Sequence, residues 1–336
     1  MGRKFDRREF VRRAAVTAIA VPWMARAEVW RALAVAPPQK VFRGIFAILQ
    51  TPFNLDDEVD WDDLEREVGF CMRCGAHGLV WPQLAAEFYL LTEEERMRGA
   101  EVILRKAAGG KSAVVIGVQA PIKQTAVKLA RHAESKGADA VIALPPYLGH
   151  ASLDTALEYY RALARAVKVP IFIQNSGGAW GPTLPASTVI QLAKEFPTLG
   201  YIKEEVEPVA HRADEYARSG VMTEIFSGSA GKYLLNEMAH GAQGTMPACE
   251  FVDIEVQIYE LAAAGKMEEA RALYQKLLPM ITMEELYGMH FAKAVLVRRG
   301  VFKTAKMRGT QGTSLDAVDG KEMEAWWKGL APYFKT

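Results

Sequence analysis

The sequence has no surplus of charge: 41 Lys and Arg stand against 40 Asp and Glu. That balance gives no bulk electrostatic case for binding nucleic acid or an anionic membrane surface. After the first few dozen residues no apolar run is long enough to span a bilayer. No P-loop and no Ser-His-Asp arrangement is visible, and the six histidines lack a ligand spacing such as H-E-x-x-H. A metal-dependent aldolase would need such a cluster. The first strand candidate leads into "ILQTPFNLDD", which is nothing like the G-x-G-x-x-G of a doubly wound nucleotide-binding sheet. Cysteine is scarce, at three residues. Cys71 and Cys74 form a C-x-x-C, but Trp61, Leu64, Val68 and Cys71 follow a helical spacing that sets both thiols near a helix C-terminus. A low thiolate pKa is not favoured there, so buried structural cysteines are expected rather than a redox pair.

What is present begins with a leader. "DRREFVR" carries Arg7 and Arg8 side by side, an apolar segment runs from Ala14 to Met24, and Ala25-Arg26-Ala27 offers an A-x-A cleavage site. Residues 1–36 therefore read as a twin-arginine-type signal peptide and linker, and the expected location is periplasmic or otherwise exported. A basic amphipathic N-terminal helix is the alternative.

Beyond the leader, eight short, β-branched, apolar segments alternate with helical ones: 41–49, 78–81, 113–118, 140–144, 169–174, 200–203, 224–228 and 242–246. Thr92 and Glu95 make a capping-box pattern. "CGAHGLV", "KGADAVI" and "HGAQGTM" echo one another, each with Gly-Ala leading into a strand. A helix that stops on a left-handed glycine can turn directly into the next parallel strand. The pattern predicts an α/β fold, a (β/α)8 TIM barrel over 37–249, with a C-terminal helical region over 250–336.

In such barrels the chemistry sits at the C-terminal ends of the strands. Lys203, in "GYIKEE", ends the sixth strand and is expected to point into the mouth. A lysine in a poorly solvated pocket loses proton affinity, and its neutral amine can attack a carbonyl carbon to give an imine. An ordinary salt bridge to Glu204, Glu205 or another acid is the alternative reading. Other residues at strand ends are Glu87, Tyr147, Gln174, Asn175, Gly228, Ser229 and Met246.

"GIFAILQTPFNLDDEVDWDDLE", "GVQAPIKQTAVKLARHAESKGADAVIALPPY", "GYIKEE", "FSGSAG", "HGAQGTMPAC" and "AKAVLVRRG" resemble, in order and spacing, the dihydrodipicolinate synthase / N-acetylneuraminate lyase family. The likeness covers about residues 41–335. It implies a TIM barrel with a helical C-terminal domain, often a homotetramer, without metal or organic cofactor. It also implies a lysine that forms a Schiff base with a 2-oxo acid, and Lys203 matches it. The partners implied are a small-molecule carbonyl substrate and further copies of the chain, with no nucleic acid and no membrane once the leader is removed.

The departures are specific. The family's hydroxyl-bearing run after the second strand is here "QLAAE", with Leu84 and Ala85 in place of hydroxyls and Glu87 kept to support the loop. The tyrosine that ends the fifth strand is Gln174, followed by the expected Asn175. A second relay tyrosine aligns with Leu148, next to Tyr147, and an arginine for a second carboxylate falls near Ala179. Glutamine hydrogen-bonds but is no base near neutral pH. His150, just past Tyr147, is a candidate replacement acid/base, as are Glu87 and Glu204. The expected function is a Schiff-base-forming lyase, aldolase or hydratase-aldolase on a 2-oxo acid or related carbonyl, and not lysine biosynthesis. Lys203, Gln174 and Tyr147 are the expected catalytic residues, and Leu84, Ala85, Glu87, Asn175, Gly228, Ser229 and Met246 the expected substrate contacts. Trp81, Phe88, Tyr89 and Trp180 near the inferred mouth suggest a bulkier or more aromatic substrate, core packing being their other reading. The alternative function is a non-catalytic binding protein whose tyrosine relay has decayed.

Overall fold

The computed structural model describes residues 40–149, 151–309 and 312–335. The expected leader, residues 1–36, and His150 lie outside the described residues. Eight parallel strands close into a barrel in sequence order: β1 Gly44–Ile48, β2 Gly78–Trp81, β3 Ala113–Gly117, β4 Ala140–Ala143, β5 Ile171–Asn175, β6 Tyr201–Glu204, β7 Glu224–Ser227 and β8 Gly244–Thr245. Seven helices follow the first seven strands: α1 Trp61–Cys74, α2 Glu93–Ala107, α3 Lys123–Ser135, α4 Leu153–Ala166, α5 Ala186–Glu195, α6 Val209–Ser219 and α7 Leu234–Ala239. Four more come after β8: α8 Val252–Ala263, α9 Met267–Tyr287, α10 Met289–Arg298 and α11 Ala317–Leu330. The (β/α)8 architecture with C-terminal helices is thus the one the alternation predicts.

Local chemistry explains the regularity. Thr92 and Glu95 complete both halves of the capping box that starts α2. The three Gly-Ala echoes share one job: Gly75, Gly137 and Gly241 hold φ of 92°, 89° and 97°. A side chain is strained in that region, so glycine lets each helix turn straight into its strand.

Because strand residues alternate between faces, the barrel has two cores. Inside, Phe42, Phe46, Phe172 and Phe226 stack with Val80, Val115, Ile142 and Met246. The Phe46 and Phe226 rings lie 4.8 Å apart, and Phe42 closes the lower end against Tyr201 at 5.7 Å. This filled column is a floor for anything at the upper end. Outside, the strands' other face packs on the helices, and Trp81 belongs to that layer. Its indole donates to Thr51 Oγ1 at 3.1 Å, and a Cβ on Gly99 would sit 2.2 Å from its ring. Trp81 therefore serves core packing, not the mouth.

Two of the C-terminal helices are tied to each other by a buried ion pair. Arg299 donates from Nη1 and Nη2 to Asp253 Oδ1 and Oδ2 at 2.8 and 2.6 Å, both side chains being buried. The guanidinium also lies over the rings of Phe70 and Phe334. Cys71, Cys74 and Cys249 are all buried and reduced. Cys249 has a partner the sequence did not reveal: its Sγ donates to Glu67 Oε1 at 2.9 Å. Burial pushes the Glu67 carboxyl up to about 8.

Candidate active site

Lys203 lies on β6 in register with Gln174 of β5 and Phe226 of β7. Register neighbours in parallel strands present their side chains to the same face, here the barrel interior. The lysine is 3% exposed, and its Nζ is 3.0 Å from Oε1 of Glu205. Both readings of "GYIKEE" are therefore realised at once: the amine is inside the barrel, and it is ion-paired. Taking an ammonium out of water costs several kcal/mol unless a counter-charge offsets it, and Glu205 is that counter-charge.

Glu205 has a second partner. Gln174 Nε2 donates to its other oxygen, Oε2, at 2.7 Å. One carboxylate thus bridges the nucleophile candidate and the residue that stands where a tyrosine was expected. Gly228 makes room for it: a Cβ there would lie 2.2 Å from Glu205 Oε1. With its Nε2 held by a carboxylate, Gln174 must present Oε1 elsewhere, and that oxygen is buried without a partner.

Glu204 and Asn175 face the other way, which corrects their expected roles. Asn175 Nδ2 donates to Leu184 O at 3.0 Å, and its Oδ1 accepts from Leu184 N at 2.9 Å. The same amide nitrogen donates to Glu204 at 3.0 and 3.2 Å. Glu204 also accepts from the Tyr216 hydroxyl at 2.7 Å and pairs with Arg212 at 3.0 Å. Asn175 follows Gln174 directly, so strand alternation sends it to the helix side, where it pins the loop before α5. Glu204 likewise fixes the end of β6 to α6 and is not a proton carrier at the mouth.

A cavity of about 310 Å³ opens at the upper end, over β1, β2 and β8. Leu84, Ala85, Tyr89, Trp180, Met289 and Ala292 give it an apolar lining, and Gln50 and Glu284 supply polar groups. Ala85 also packs on the interior column that contains Met246. Lys203 does not line this cavity. Gln50, at the end of β1, has both side-chain polar atoms buried and unpartnered, so it can donate to and accept from a bound molecule. Glu284 comes from α9. Its carboxyl is held well above the usual range, first by burial and then by the neighbouring acids Glu250 and Glu255. Glu250 is pushed up to about 7, also by burial. The two carboxyls are hydrogen-bonded to each other, and a pair this close does not ionise twice, so it holds a proton between its members.

Tyr147 lies in a second pocket, of about 320 Å³, with Pro146, Leu148, Gly178, Ala179 and Pro182. No charged side chain is among the described residues that line it. Its ring meets Phe88 at 5.5 Å and Trp180 at 6.1 Å, and burial raises its hydroxyl pKa. Trp180 thus stands between the two pockets, while Phe88 is buried beneath them. Ser229 is exposed, in a left-handed conformation (φ 51°) after β7. Glu87 is a structural anchor: it pairs with Lys293 of α10, and its Oε2 accepts from Arg308 N and Gly309 N at 3.2 and 3.3 Å. It holds the second-strand loop in place and touches neither pocket.

The sequence offered Glu205 only as a salt-bridge partner of Lys203, and it did not point to Gln50 or Glu284. Glu205 carried a signal, since a period of two puts it on the face of Lys203. Gln50 directly follows the first strand candidate, 41–49. Glu284 is on a helix 80 residues away from the sixth strand, and nothing in its local sequence marks it.

The model of the dihydrodipicolinate synthetase family matches residues 41–313. The 4-hydroxy-tetrahydrodipicolinate synthase of Chlorobium phaeovibrioides is 30% identical over 256 residues, 75% of this chain and 83% of that protein. An Escherichia coli K12 protein, named a probable 2-dehydro-3-deoxy-D-pentonate aldolase, is 30% identical over 72% of this chain and 81% of its own length. The solved structure of dihydrodipicolinate synthase from Rhodopseudomonas palustris superposes with a TM-score of 0.78 at 25% identity, covering 86% of this chain and 99% of the other.

Proposed function

The chain belongs to the dihydrodipicolinate synthetase family and is an enzyme of it, a lyase or aldolase; from that premise we propose that it works through a Schiff base between Lys203 and a 2-oxo acid or related carbonyl compound. One observation carries this reading: the amine is buried at the C-terminal end of β6, inside the barrel and above a floor of aromatic rings. The protonated imine is an electron sink, so bonds at the adjacent carbon can be made or broken. Gln174 and Gln50 orient the polar end of the substrate, and Leu84, Tyr89, Trp180 and Met289 take an apolar or aromatic body.

We do not assign the chain to lysine biosynthesis. Leu84 and Ala85 supply no hydroxyl to a keto-acid carboxylate, and no cationic side chain is among the described residues lining the Tyr147–Ala179 pocket. The twin-arginine leader, which would place the enzyme outside the cytoplasm, supports the same assignment. A homo-oligomer is the proposed assembly. The named activities of the relatives favour turnover over a barrel that only binds.

The test is reductive trapping. Purified protein is incubated with pyruvate, 2-oxobutanoate or phenylpyruvate plus borohydride, and the mass of the Lys203 peptide is measured. An adduct there with at least one of them is expected; none across the panel would remove the reading.

A further inference from the structure

We propose that Glu205 is the acid/base partner of Lys203, the proton carrier that a tyrosine would otherwise supply. The inference rests on the Schiff-base reading above and adds to it a residue, a proton path and a resting state.

Three independent features converge on Glu205. Its Oε1 is 3.0 Å from Lys203 Nζ, within direct proton-transfer reach. Its Oε2 is held by Gln174 Nε2 at 2.7 Å, which fixes the carboxylate plane. Gly228 leaves the space the carboxylate fills, and any larger residue there would collide with it. The other carboxylates named as candidate proton carriers are otherwise engaged. Glu204 is turned to Tyr216 and Arg212, and Glu87 to Lys293.

The balance of the step is as follows. The Lys203 ammonium passes one proton to the Glu205 carboxylate, leaving a neutral amine and a carboxylic acid. The amine lone pair forms the C–N bond to the 2-oxo carbon, while the C=O π pair moves to oxygen. The nitrogen's extra proton moves to that oxygen, giving a neutral carbinolamine. Glu205 then returns its proton to the hydroxyl, the C–O bond breaks, and water leaves. The product is a protonated imine beside a carboxylate, the same pair of charges that the resting site holds. The unpartnered Oε1 of Gln174 accepts a hydrogen bond from the carbinolamine hydroxyl. Glutamine suits this place because it orients the carboxylate without competing for its proton.

The experiment compares wild type, Glu205→Gln, Glu205→Asp and Gly228→Ala in borohydride trapping at Lys203, with pyruvate, 2-oxobutanoate and phenylpyruvate as probes. The rate of adduct formation is followed by mass across pH. Loss of a positioned acid/base slows such steps by about 10²-fold or more. Glu205→Gln is expected to slow trapping to that extent and to make its rate climb with pH, because solvent hydroxide must then remove the proton. Glu205→Asp is expected to recover part of the rate. Gly228→Ala keeps the charge but displaces the carboxylate, and it is expected to slow trapping even if the glutamine variant does not fold. Trapping in wild type together with equal rates and pH profiles in the variants overturns the role of Glu205 alone. No adduct in wild type overturns the Schiff-base reading and this inference with it.

Discussion

Glu87 and Lys293 form a fully buried ion pair across 206 residues of sequence, joining the loop after β2 to α10. Burial lowers the lysine's pKa, and the glutamate opposes that shift. Removing one partner leaves an uncompensated charge in the interior, which costs about 3–5 kcal/mol. Lys293→Met is expected to lose that much in denaturant unfolding. Adding Glu87→Gln to it is expected to restore part of the loss, since no lone charge then remains.

The pH dependence of stability follows from Glu67. Its carboxyl is raised by burial from 4.5 to about 8. Between those values the folded protein keeps a proton that the unfolded chain has released. The contribution is therefore complete below about pH 4.5 and declines as pH rises toward 8. Glu67→Gln is expected to flatten the fall of Tm with pH across this window, while its Oε1 still accepts from Gln50 N. An unchanged slope would assign the effect elsewhere.

Asn175→Ala separates structure from chemistry. It removes both bonds to Leu184 and the donor to Glu204. Leaving buried partners unsatisfied costs about 1–3 kcal/mol each, so a clear drop in Tm is expected. Because the amide faces the helices, the Lys203 adduct should still form in borohydride trapping.

Trp180 is where substrate size would register. It lines the apolar cavity over β1, β2 and β8, and its ring meets Tyr89 at 5.4 Å. Trp180→Ala is expected to raise KM for an aryl 2-oxo acid such as phenylpyruvate by about tenfold, ~1.4 kcal/mol. For pyruvate, which does not reach that wall, KM should stay within about twofold.

The leader is tested by location. In a host with a twin-arginine translocase, replacing Arg7 and Arg8 together with lysine is expected to shift the protein from the exported to the cytoplasmic fraction. Equal distribution of the two forms would favour an amphipathic helix.

The barrel was legible because its signals are local. Gly75, Gly137 and Gly241 end helices by backbone conformation, Thr92 and Glu95 start one by side-chain bonding, and the strands are short apolar runs. Lys203 was legible as a charge at the end of such a run. Facing direction was harder at strand ends: Gln174 and Asn175 adjoin in sequence yet serve opposite sides of the sheet, and Trp81 turned outward. Least legible were groups that meet only through the closed fold. Gln50, Glu284 and Met289 line one cavity from β1, α9 and α10. No spacing rule links them, because their proximity comes from tertiary packing rather than from a repeat.

The anchoring of Glu87 also orders events during synthesis. The partners that hold the second-strand loop, Lys293, Arg308 and Gly309, emerge from the ribosome more than two hundred residues after Glu87 itself. A nascent chain can lay down every strand of the barrel and still lack the partners that fix its second-strand loop. The loop is held only once residue 309 has been made, so translation stalled before that point would leave all eight strands in place and Glu87 without its full set of anchors.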